Sequence, residues 1–485
     1  MRYFRHTIFS IKSIYILCFG VLPGIADVKA QSYSFEKSIG ATGFEKASAV
    51  KLLADGNIII TGETESFGLQ ERDMLLMKTD SNGQVIWSNS YGGPERETVN
   101  DVLPLPSGNL LFAAEKYQPN KAEGENLTLI ETDKNGNLIW KKIFDEGGHE
   151  TEGFQIAPTP DNQILIAGML KKSSMVSDAF FAMRSEEQCA YLLKVDRKGN
   201  KQFSRCITYG ENDVSTTAAA LTVCADASIL LSGNVTRKGK TDKKIEQPAR
   251  QVNTDDQRNL LLAKISPNGN LLWAREISGA KIMMGYTVLE KKDGSIMLAG
   301  NTTAGAGSID IVLMHLDKNG NVIWAKTYGG TKFESVADMV AAPGGGWIVT
   351  GITYSTANGI SDVLTFKTDD NGALLWAKTY GGANEEYPSR MAIRGNSIFT
   401  AGSTGSNGTR SFDVLLYKTA LDGSGTCFSR DATLSVKALG AKSLVPDNAK
   451  SEKIEQGVYP PNMKKPEVQN ISNTGREMTG IGLCK

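Results

Sequence analysis

Short apolar runs rich in β-branched residues recur along this chain, each entered through a tight polar turn. Asp55-Gly56-Asn57 leads into Ile58, Ile59 and Ile60. Ser107-Gly108-Asn109 leads into Leu110, Leu111 and Phe112. Asp293-Gly294-Ser295 leads into Ile296, Met297 and Leu298, and Gly344-Gly345-Gly346 into Trp347, Ile348 and Val349. Runs of this length bounded by turn formers predict strands joined as hairpins. A second pattern alternates with the first. Segments 76–87, 130–140, 314–324 and 366–376 each pass through Asp and Asn-Gly and end on Trp87, Trp140, Trp324 and Trp376. The segment ending at Trp273 has Ser266 in place of the Asp, and another ends on Phe203 instead of Trp.

The glycines of the second pattern are Gly83, Gly136, Gly199, Gly269, Gly320, Gly372 and Gly423, spaced by 53, 63, 70, 51, 52 and 51 residues. A base period near fifty-one, with insertions in the third and fourth units, lies in the range of propeller blades. In the first unit strand one ends near Ala54, and strands two to four cover 57–61, 73–79 and 84–91. Strands two and three are nearly continuous apolar runs, as expected where both sheet faces are covered. A solenoid of stacked hairpins is the alternative. Segment 33–40 reads like the end of a fourth strand (compare 324–330), and the last unit lacks a good fourth strand of its own. The expected fold is therefore all-β: a seven-bladed β-propeller of four-stranded antiparallel blades over 31–434, its ring closed by an N-terminal strand. Residues 435–485, rich in Lys, Pro, Asn and Ser, hold too few large apolar residues for a second core, and read as a low-complexity tail or a wrap along the propeller.

Composition adds limits. Fifty-three Lys and Arg balance fifty-three Asp and Glu, so nothing draws a polyanion to the whole surface, and nucleic acid is not an expected partner. Arg2, Arg5 and Lys12 precede a short apolar stretch, and Val28-Lys29-Ala30 offers a cleavage site before Gln31. Residues 1–30 thus read as a signal peptide, with a membrane anchor as the alternative, and the mature chain as secreted, periplasmic or surface-bound, not membrane-spanning, and monomeric. Cys189 and Cys206 flank one hairpin, within a residue of opposite register, and are expected to form a disulfide. Cys427 with Cys484 is a second pairing that would tie down the tail, and Cys224 would stay buried.

Candidate chemistry is sparse. The Asp-x-Asn-Gly turns contain calcium-type residues, but Asn-Gly also supplies the positive φ of a hairpin turn, and no bidentate Glu follows. No metal site and no cofactor is expected. The recurring Trp residues are read as blade-to-blade packing. Gly-Gly exit loops precede Glu97, Glu334 and Glu386, whose carboxylates could face the axis or accept hydrogen bonds from loop amides. The third unit inserts about 171–188, with Phe180 and Phe181. The fourth inserts 237–259, where Arg237, Lys238, Lys240, Lys243 and Lys244 help to set seven basic residues against four acidic ones. Both insertions belong to the face opposite the short turns, and long loops on a rigid scaffold are where binding resides.

The pairing of an Asp-Gly-Asn hairpin with Lys-x-Asp-x-Asn-Gly-x-x-x-Trp resembles the β-propeller repeat of exported bacterial proteins, over about 33–430. That resemblance implies a fold and a location outside the cytoplasm, its members being mostly secreted or envelope proteins without assigned chemistry. Quinoprotein-type propellers place Asp, Gly and Trp similarly, but with one more residue between Asp and Gly than separates Asp80 from Gly83 here. The functional expectation is a non-catalytic binding or scaffold propeller whose partner is a protein or polysaccharide. The alternative is a quinoprotein-like or glycan-active enzyme.

Overall fold

The computed structural model describes residues 34–482 apart from 68–71, 94–95, 117–125, 145, 147–148, 175–184, 210–213, 239–243, 246–251, 254–255, 407–410, 447–448 and 455–478. The proposed signal segment, Phe180, Phe181, Lys240, Lys243 and Cys484 lie outside these residues.

Seven antiparallel sheets follow one another along the chain. Blade 1 consists of Glu45–Leu52, Ile58–Thr64, Asp73–Thr79 and Val85–Tyr91. Blades 2 to 6 repeat the order, their innermost strands being Glu97–Pro104, Glu150–Pro158, Val214–Val223, Met283–Glu290 and Glu334–Ala341. Blade 7 takes Glu386–Arg394, Ser397–Thr404 and Asp413–Ala420, and its fourth strand is Phe35–Gly40, paired antiparallel with Asp413–Ala420. The innermost strands neighbour one another in blade order, and that of blade 7 returns to that of blade 1, so the ring is closed. Among the described residues, no helix is long and apolar enough to cross a membrane.

Two backbone devices repeat in every blade. The first is the turn between the third and fourth strands. In blade 1, Asp80 Oδ1 accepts hydrogen bonds from the amides of Asn82 (2.9 Å) and Gln84 (2.8 Å), and Gly83 has φ +72°. All seven turn glycines have positive φ, and in blades 1 to 6, where the turn enters the fourth strand, the ladder slips by one residue beside it. The turn carboxylates are thus engaged by backbone amides, which hold the Asp196 carboxyl below its usual range. Each turn glycine also serves a second purpose. A Cβ on Gly320 would lie 3.0 Å from the Trp273 ring of the preceding blade, and one on Gly136 would lie 3.1 Å from Trp87. Trp140, Phe203, Trp324 and Trp376 meet Gly199, Gly269, Gly372 and Gly423 in the same way, and Phe35 of the N-terminal strand meets Gly83. The aromatic of one blade therefore packs flat against the bare backbone of the next, all the way round.

The second device is a bulge in the innermost strand. In blade 1 the register shifts between Ala47 and Ala49, leaving Ser48 as the extra residue. The bulged strand crowds its neighbour, where a Cβ on Gly62 would come within 1.8 Å of the Lys46 carbonyl oxygen. This explains why the fifth residue of strand two is so often Gly, as at Gly62, Gly300 and Gly351.

The C-terminal segment is not a separate core. From Cys427 to Ile454 the chain runs along the outside of the ring and lays one short strand on the outer edge of each of four successive blades. Ser429–Asp431 pairs with blade 6, Ser435–Ala438 with blade 5, Lys442–Leu444 with blade 4 and Lys450–Lys453 with blade 3. Thr479–Gly482 then pairs with Phe35–Gly40 in blade 7. Such a belt needs few large apolar residues, because its hydrogen bonds come from the backbone and it covers edges that would otherwise template association. Leu434, Leu439 and Ile454 anchor it against the blade cores.

Cys189 and Cys206 are bonded, with Cα atoms 5.5 Å apart. Cys206 stands opposite Tyr191, so the pair is diagonal, because the ladder slip beside the turn adds one residue to the register read from sequence. Cys427 is disulfide-bonded and Cys224 is a buried thiol.

Candidate functional site

The bulges build the axis of the molecule. An extra residue in an innermost strand re-aims its side chain, and all seven such residues line one central cavity: Ser48, Asn100, Phe154, Ala219, Tyr286, Ala337 and Ser389. The cavity volume is about 740 Å³. Its wall continues into the two long hairpins. Ile164–Ser174 and Ser185–Val195 of blade 3 have 11 residues each, against 7 in the equivalent strands of blade 5, and stay paired as far as Ser174 and Ser185. Lys171 and Gln188, opposite each other on this ladder, both line the cavity. In blade 4, Lys238, Asp256 and Arg258 do the same at the foot of the second insertion.

Five cationic side chains reach the wall (Lys46, Lys171, Lys238, Arg258 and Arg390), against two carboxylates, Glu152 and Asp256. Lys171 Nζ lies 3.0 Å from Glu152 and 3.4 Å from Glu150, which push its pKa further up. Arg258 faces Asp256 at 3.8 Å, and Arg390 faces Asp338 at 3.6 Å. Phe154, Tyr286, Met169 and Met284 supply apolar surface. Among the described residues, no three His, Cys, Asp or Glu side chains converge as metal ligands would. The wall offers donors, acceptors, charge and aromatic faces, which is a binding chemistry.

Of the residues singled out from the sequence, Lys238 is exposed and on the cavity wall. Arg237 is turned outward along its sheet, paired with both carboxylate oxygens of buried Glu276 (Nη2 to Oε2, 3.0 Å). Lys244 is placed by its backbone opposite Asn253 in a two-residue ladder. Glu97, Glu334 and Glu386 are buried off the wall, each the first residue of an innermost strand. Glu334 Oε2 accepts from the Gly330 amide at 2.8 Å and Oε1 from the Thr353 hydroxyl at 2.7 Å. Glu386 does the same with Gly382 and Thr404, and Glu97 accepts from the Gly93 amide at 3.3 Å. Glu45 is a fourth member, bonded to the Ala41 amide and the Thr64 hydroxyl. These glutamates fasten the exit loops.

Each also approaches an aspartate at the start of a third strand. Burial, and then neighbouring Glu386, pushes Asp362 up to about 6; burial and Glu334 bring Asp310 to about 6. Burial raises Asp73 to about 6, and burial together with Asp73 raises Glu97 to about 7 against the pull of Lys116. Lys46, Arg258, Phe154 and Tyr286 were not legible as wall residues in the sequence. For Phe154 and Tyr286 the signal was the extra residue in strand one, visible only once the ladder was paired; Lys46 and Arg258, regularly paired in their strands, carried no such mark.

No family model matches the chain, and no curated protein matches it. Similar solved structures include a protein of unknown function from Dyadobacter fermentans, 11% identical, covering 79% of this chain and 97% of that one at a TM-score of 0.42. The polysaccharide lyase Uly1 is 9% identical, with 77% and 90% covered and a TM-score of 0.47. Sqt1 from Chaetomium thermophilum is 10% identical, with 83% and 90% covered and a TM-score of 0.41. What defines this chain is its own geometry: a closed seven-bladed propeller with a central cavity.

Proposed function

We propose that this chain is a non-catalytic binding propeller acting outside the cytoplasm, and that it engages a protein or polysaccharide through the face carrying the long hairpins of blades 3 and 4. The observation that carries this reading is that the feet of both hairpins, at Lys171 and Gln188 and at Lys238 and Asp256, line the central cavity. The feet of the two long hairpins and the cavity therefore form one continuous surface on a rigid ring, the usual arrangement for recognition. The Cys189–Cys206 bond fits an oxidising compartment. Shortening both hairpins to the length found in blade 5 should abolish retention of the partner from native envelope extracts. Unchanged retention by a correctly folded variant overturns the proposal.

A further inference from the structure

We infer that the central cavity takes a short oligosaccharide bearing carboxylates, a uronate chain; this rests on the binding reading above and names its ligand class. Three of the five cations on the wall are already paired. Lys171, Arg258 and Arg390 each face a carboxylate, whereas Lys46 and Lys238 have no ion pair among the described residues. Lys46 belongs to blade 1 and Lys238 to blade 4, three steps apart in a ring of seven, so the two free ammonium groups reach one cavity from nearly opposed walls. Low-dielectric walls focus such charges on whatever enters. A ligand answering both must carry anions some distance apart. A uronate chain, with one carboxylate on each ring, does so.

The space between the two lysines has saccharide character. Phe154 and Tyr286 are half-buried at bulge positions of blades 3 and 5 and line the cavity, and aromatic rings suit the C–H face of a pyranose. Ser48 and Thr217 supply hydroxyls, and Asn100, whose amide hydrogens go to Glu115 and the Gly153 carbonyl, supplies an acceptor oxygen for saccharide hydroxyl groups. The volume of about 740 Å³ falls within the roughly 300–1,000 Å³ of small-molecule sites. A phosphate ligand would call for a fork of guanidinium groups or a nest of backbone amides. Here the guanidinium groups already face Asp256 and Asp338, and the free cations are single ammonium groups.

The test is calorimetric titration of the full mature chain with short oligomers of galacturonate, glucuronate and mannuronate. The carboxyl-reduced neutral oligomers, inorganic phosphate and AMP are titrated alongside. At least one uronate should bind, more weakly at high salt. Losing one charge-assisted contact is worth about tenfold or more in affinity, so Lys46→Met and Lys238→Met should each weaken binding by about that factor. Tyr286→Ala should weaken it without changing the salt dependence. Equal affinity for the neutral oligomers, tighter binding of phosphate or AMP, or no binding by any uronate overturns the ligand class. If envelope material is still retained through the hairpins while every uronate fails, only the ligand class is wrong. If retention ignores the hairpins, the binding reading itself fails.

Discussion

Ser443 Oγ donates a 2.9 Å hydrogen bond to the carbonyl of Gly320, the turn glycine of blade 5, from a belt strand in which Ser443 stands directly opposite Ile277 of blade 4. In blades 1, 5 and 6 a tyrosine occupies the position of Ile277, and Tyr91, Tyr328 and Tyr380 donate to the carbonyls of Gly136, Gly372 and Gly423 in the next blade. Blade 3 has Ile207 there, and Ser451, opposite it, donates to Gly269 at 2.9 Å. The belt thus supplies a hydroxyl where the blade has lost one.

Ser443→Ala should therefore lower stability by about 0.5–1.5 kcal/mol, the usual net worth of one hydrogen bond, while Ser443→Thr keeps the donor and stays near wild type. Urea denaturation measures both. Equal midpoints for the two variants would show that the hydroxyl contributes nothing.

Ring closure rests on Phe35 against Gly83. Phe35→Ala should cost about 3–5 kcal/mol. Gly83→Ala suffers twice, from its φ of +72° and from a Cβ only 2.7 Å from the Phe35 ring. In the Phe35→Ala background the second penalty disappears, so Gly83→Ala should cost less there. A double-mutant cycle reads this directly. An identical cost in both backgrounds would disprove the contact.

The carboxyl pairs at the blade junctions give stability a pH slope. Asp73, Asp310 and Asp362, raised to about 6, and Glu97, raised to about 7, hold protons more tightly folded than unfolded. Their contribution is complete below the unfolded value near 4 and is lost as pH rises through about 6 to 7. The melting temperature should fall between about pH 4 and pH 7, and Glu97→Gln should flatten part of that fall. A rise over the same interval would contradict the assignment.

Cys224 is buried, and burial pushes its thiol up to about 11. It should resist iodoacetamide in the native protein and react only on unfolding. Reducing the Cys189–Cys206 bond, which closes a short loop, should cost about 2–4 kcal/mol. Rapid native alkylation of Cys224 would place it at the surface instead.

Truncation after Leu434 strips the belt from blades 3, 4, 5 and 7 and bares their edges. The shortened ring should remain β-rich by circular dichroism yet associate as concentration rises, which light scattering detects. A strictly monomeric truncation product would argue that the belt is dispensable for solubility.

The local rules of this fold were legible in the sequence because they act over a few residues. Asn-Gly turns need positive φ, strands buried on both faces need continuous apolar runs, and the aromatic at Trp87 or Trp273 recurs with the period of the blade. Counting Gly83 to Gly423 therefore yields seven blades, and the fourth-strand signature at 33–40 yields the closure. Other features required partners far apart in the chain. The belt strands around Ser443 and Ser451 owe their place to backbone edges offered by other blades, so their composition carries little sign of them. The seven bulge residues meet at the axis only because seven separate ladders slip at the same level. Glu97, Glu334 and Glu386 repeat as clearly as any ligand set would, yet burial and the loop amides determine that they fasten loops. Lys46 and Lys238, far apart in sequence, share a wall because the ring closes.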